Sequence, residues 1–142
     1  MAERISDQLP HQRIRNNIID YLELAASVDE QRRFERDVPM ACVPNEMINL
    51  WEDAVISTDV EWYSGPVFSP DENAAIRAFH IVWDQVADET PDPMPPSIEA
   101  LIGTEPWDRL AVAAREALSV FAVRGRFNAE TEEPLGILER AR

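Results

Sequence analysis

His80 and Asp84 stand four residues apart, with Asp88 four further on, inside the run SPDENAAIRAFHIVWDQVADE. Residues spaced by four share one flank of a helix, so an imidazole and two carboxylates would project together, as a metal site requires. Such a site needs three or four converging ligands, so His80 and Asp84 would have to be joined by Asp88 or by a carboxylate from a neighbouring helix. The same spacing equally suits a salt-bridged helix flank that includes Arg77. His11 has no partner fixed by local spacing.

Glu52, Asp53, Asp59 and Glu61 bring carboxylates close enough in sequence for acid–base pairing, but a region this acidic produces such pairs by composition, and proton chemistry needs burial to shift a carboxyl. Cys42, in PMACVP, has apolar neighbours and no nearby cation, which describes a small buried hydrophobe rather than a thiolate nucleophile. With only 4 glycines, the chain carries no phosphate-cradling loop and neither the Walker nor the dinucleotide fingerprint. No cofactor is expected, and a non-enzymatic role fits better than a catalytic one.

A different chemistry is suggested by ISTDVEWYSGPVFSPDE, residues 56–72, where Trp62, Tyr63 and Phe68 lie among carboxylates and turn residues outside any helical period. Either these aromatics plug a core or they anchor a partner, since Trp and Tyr are the residues that binding hot spots use. Phe68 precedes the Ser69 cap, but the fourth helical residue is Asn73, so no hydrophobic staple forms and Phe68 must find apolar company in the core. The candidate docking surface spans residues 46–72, with Glu52, Asp53, Asp59, Glu61, Asp71 and Glu72 around Trp62 and Tyr63.

The elements that must position these residues are helical. In LPHQRIRNNIIDYLELAAS, Ile14, Ile18, Tyr21, Leu22 and Ala25 follow the 3.6-residue period. Ser27 and Glu30 could cap a second helix, yet Val28 and Phe34 extend an apolar side, so one long, bent helix ending before Pro39 is expected. A helix opening at Pro44 or Asn45 presents Met47, Leu50, Trp51, Ala54 and Val55. The strongest start signal is Ser69-Pro70-Asp71-Glu72, which begins a helix with Ile76, Phe79, Val82, Trp83 and Val86 on its core side. TPDPMPPS is a stiff connector, followed by a short helix capped by Ser97 and stopped by Gly103. Thr104 then opens a helix carrying Trp107, Leu110, Ala114, Ala117, Leu118 and Phe121, with Gly125 past its end. The expectation is an all-α, single-domain helical bundle over residues 1–142, with four main helices, short ones and one long irregular connector. Residues 128–142 form a tail that docks loosely, through Leu135, Ile137 and Leu138.

Charge narrows the function classes. All 13 basic residues are Arg, and the net charge of −14 lies in residues 37–108, which hold 15 acids and one Arg. That field repels phosphate backbones, so direct nucleic-acid binding is not expected. The lone cysteine gives no disulfide framework, and no apolar run approaches the ~20 residues that span a bilayer. The chain is expected to be a small, acidic, bacterial cytoplasmic protein of the interaction or inhibitor kind, resembling immunity proteins, antitoxins and anti-regulators in its charge, with a basic protein as partner. Two alternatives differ in class: a metal- or small-molecule-binding protein using His80 and Asp84, and a homo-oligomer packed through Trp51, Trp62 or Trp107.

Overall fold

A computed structural model describes residues 8–55 and 66–135. These residues form five helices packed together, with no strand among them. The helices are α1 (Gln8–Ala26), α2 (Val28–Asp37), α3 (Val43–Ala54), α4 (Pro70–Glu89) and α5 (Glu105–Phe121), with a 3₁₀ turn at Ile98–Ala100 before α5.

The expected long first helix is instead two. Ser27 is extended, with φ −127° and ψ 109°, and its side chain accepts from the Glu30 N–H, so it caps α2. The carbonyls at the end of α1 find partners outside that helix: buried Gln31 donates through Nε2 to Leu24 O at 3.0 Å, which also accepts from the Ser27 N–H at 3.2 Å, and to Ala25 O at 3.2 Å. Its Oε1 accepts from Trp107 Nε1 at 2.9 Å, tying the break to α5. Both ends of the interruption are thereby satisfied, which removes the usual cost of breaking a helix in a buried place.

The other starts follow their local chemistry. Ser69 and Glu72 make a full capping box, with Pro70 in the first turn of α4. α3 begins at Val43, with Pro44 in its first turn, although Cys42 before it makes no side-chain cap bond. Gly125 has φ +73°, a left-handed conformation that glycine adopts without a Cβ clash, and its N–H returns to Phe121 O at 2.8 Å beyond the end of α5.

α1 lies between two packing partners, α5 and α3, while α4 packs along α5 and α2 closes against α1, α3 and the 3₁₀ turn. The core joins Ile18, Leu22, Met47, Trp51, Phe68, Ile76, Phe79, Leu110 and Phe121, all essentially excluded from solvent. Tyr21, Trp51 and Phe79 cluster with ring centroids 4.7–6.0 Å apart in tilted and edge-on contacts. Burial pushes the Tyr21 phenol well above its ordinary value, and the neutral hydroxyl donates to Met47 O at 2.6 Å.

After α5 the chain runs back along α1. Gln12, fully buried, makes four hydrogen bonds there: its Nε2 donates to Asn128 O and Thr131 O, and its Oε1 accepts from Glu133 N and Gln8 Nε2. Asn16 adds a reciprocal pair with the Phe127 backbone. The tail as far as Leu135, itself 2% exposed, is pinned rather than loose, whereas Ile137 and Leu138 lie outside the described residues.

Candidate functional site

Glu52 and Asp53 end α3, and Asp71 stands in the first turn of α4. All three are exposed and form no ion pair among the described residues. They flank the connector in which Asp59, Glu61, Trp62 and Tyr63 fall, and those four lie outside the described residues. Phe68 is buried at 1% exposure, as its missing staple required, and Val67 beside it is buried too.

Glu72 departs from the expected docking set. It is 1% exposed, and its two oxygens are already held inside the protein: Arg15 donates to both at 2.7 and 3.2 Å, and Arg124 to both at 2.6 and 3.2 Å. The Ser69 N–H donates to Oε1 as well, at 3.1 Å. No partner surface can reach this carboxylate while the fold is intact. Burial by itself raises the Glu72 carboxyl, but hydrogen bonds from Arg15 and Arg124, together with the Arg15 charge, outweigh it and hold the group below its ordinary value.

The node holds two cations against one anion, so the second guanidinium needs other acceptors. Arg15 donates to Gly125 O, and Arg124 to Pro66 O at 2.9 Å and Val67 O at 2.7 Å. Phe127 completes the enclosure, with the Arg15 guanidinium carbon 4.0 Å and that of Arg124 4.9 Å from its ring centroid. Three distant segments, α1, the start of α4 and the turn after α5, are thus locked at one point. Sequence reasoning missed Arg15, yet a signal was present: positions 15, 18, 22 and 25 share the buried face of α1, and a charged residue on that face demands a buried counter-ion.

His80, Asp84 and Asp88 do not assemble into a metal site. His80 is half-buried and its Nδ1 accepts from Trp51 Nε1 at 3.0 Å, while its ring stacks on Trp83 with centroids 5.3 Å apart. Accepting through Nδ1 puts the proton on Nε2, whereas a histidine bound to a metal through Nε2 ordinarily carries its proton on Nδ1, where it would oppose the Trp51 N–H. Asp84 and Asp88 are exposed, and no group of three or more His, Cys, Asp or Glu side chains able to hold a metal occurs among the described residues. His80 is an interhelical linker between α3 and α4, supported by Trp83, whose Nε1 donates to Ile48 O at 3.0 Å.

Of the tryptophans assigned to a symmetric interface, Trp51 at 0% and Trp107 at 3% exposure are inside, and Trp62 lies outside the described residues. Cys42 is half-buried and donates to Pro95 O at 3.6 Å. No described helix is long and apolar enough to cross a membrane.

One concave feature adjoins the acidic end of α3. A cleft of about 300 Å³ runs between α1 and α3, with Tyr21, Leu24, Leu50 and Ala54 forming an apolar floor and Asn17, Asp20 and Asp53 supplying polar atoms. Asp53 is free of ion pairs among the described residues, and Asp20 has one oxygen engaged by Arg126, which also contacts Glu23 at 2.6 Å.

No family model, curated protein or solved structure matches this chain.

Proposed function

We propose that this protein is a small interaction module of the inhibitor or anti-regulator kind, which docks a basic protein through the acidic surface flanking and including residues 56–65. Glu52, Asp53 and Asp71 contribute from the described helices, and Asp59, Glu61, Trp62 and Tyr63 from the connector between them.

The observation that carries the reading is the unequal fate of the charges. Arg15, Arg32, Arg33, Arg109, Arg124 and Arg126 are all engaged in ion pairs within the fold. Glu52, Asp53 and Asp71 remain exposed and unneutralised. An uncompensated anionic surface accelerates encounter with cationic partners and offers acceptors to their Arg and Lys side chains. Internal pairing of these six arginines also reduces the cations available to hold a phosphate backbone, which favours a protein partner over a nucleic acid.

The test is capture from a lysate of the source organism at low salt with the wild-type chain and with an E52Q/D53N/D71N variant. A basic protein retained by the wild type, released at moderate salt and lost from the variant supports the proposal. Equal retention of the same protein by both forms, at the same eluting salt, refutes it.

A further inference from the structure

We infer that the cleft between α1 and α3 seats one arginine side chain of the basic partner, an inference that rests on the docking function proposed above and assigns it a recognition pocket. Long cationic side chains lay an aliphatic stem on apolar surface while keeping the charged head near polar groups. The cleft has both kinds of lining: Leu24, Leu50 and Ala54 give it apolar surface, and Asn17, Asp20 and Asp53 give it polar atoms.

The acceptors come from two helices, Asn17 and Asp20 from α1 and Asp53 from α3. A guanidinium, with five N–H donors fanned in a plane, can address several separated acceptors at once, whereas an ammonium acts as a compact point charge. The fold already shows this chemistry on the same ridge of α1, where Arg126 bridges Asp20 and Glu23. Asp20 retains an oxygen not used by Arg126, its side chain is 61% exposed, and Asp53 is exposed and unpaired among the described residues. The charge is therefore complementary to an incoming arginine, and the volume of about 300 Å³ accommodates one long side chain rather than a helix.

The probes are a short peptide alternating Gly and Arg, and matched peptides in which Lys or uncharged citrulline replaces Arg. Binding is followed at low salt by the methyl resonances of Leu24, Leu50 and Ala54. Saturable shifts of these methyls with the Arg peptide, weaker shifts with Lys and none with citrulline are expected. Ala54→Leu, which fills the floor without changing charge, should lower affinity about tenfold or more, and Asp53→Asn, at an exposed site that leaves the core intact, by about tenfold. If the Arg peptide binds both variants as it binds the wild type, shifting only resonances outside the cleft, the pocket is wrong while the acidic docking surface stands. Equal binding of the Lys peptide overturns the arginine preference. If no peptide shifts any resonance, the pocket falls, and the lysate experiment decides the docking function separately.

Discussion

Arg15 occupies a position on α1 where the apolar stripe calls for an aliphatic side chain, and its burial is tolerated because Glu72, Gly125 O and the Phe127 face receive it. Removing the anion from such a node leaves the buried Arg15 and the partly buried Arg124 guanidinium groups facing each other. Glu72→Gln should therefore cost about 3–5 kcal/mol in urea unfolding, well above the ~1 kcal/mol of an ordinary cap loss. Acid should act through the same group. The folded Glu72 carboxyl is held below its ordinary value of 4.5, so its contribution is complete above that value and is lost as pH falls through and below it. Unfolding measured from pH 7 to pH 3 should show a steeper loss of stability for the wild type than for Glu72→Gln, and parallel curves would exclude the node as the acid-sensitive element. The Ser69–Glu72 capping box was legible in the sequence, because it is local. The long-range use of the same Glu72 carboxylate by Arg15 and Arg124, 57 and 52 residues away, was not.

At the scale of elements, the apolar period identified the core faces of α1, α3, α4 and α5 correctly, since burial of one face is what creates that period. It failed at Ser27, where an apolar side continued by Val28 and Phe34 suggested one bent helix. The break is supported by Gln31, a polar side chain that binds both the last carbonyls of α1 and the Trp107 indole, and nothing in a helical period reports such a contact. Gln31→Leu should thus destabilise the protein by about 2–4 kcal/mol, since it leaves the Trp107 N–H and the Ala25 carbonyl without this partner and takes one of the two donors from Leu24 O. The accompanying change should be a loss of amide-exchange protection at the end of α1. A variant as stable as the wild type would mean that the break is held by Ser27 alone. His80 teaches the same lesson in the candidate chemistry: spacing placed it beside Asp84 and Asp88, but its ring nitrogen accepts from Trp51 on another helix.

For the whole molecule, charge is the property that survives from composition to surface. Arginines from both ends of the chain pair with acids of the middle section, as in Arg15–Glu72, Arg32–Glu99 and Arg109–Glu89, so part of that section's charge is compensated internally while Glu52, Asp53 and Asp71 have no ion pair among the described residues. Composition indicated the surplus, and only the fold could say which carboxylates remain exposed: Glu52, Asp53 and Asp71 do, Glu72 does not. Exposed charges act at a distance set by ionic strength, with a screening length of about 10 Å at 0.1 M salt and about 30 Å at 0.01 M. The central measurement is the association rate constant between this protein and the basic protein that the proposed docking function requires, once captured and purified, across that salt range, for the wild type and for E52Q/D53N/D71N. The rate should fall steeply with salt for the wild type and be both lower and flatter for the variant. Rates that coincide at every salt concentration would contradict the proposed docking function.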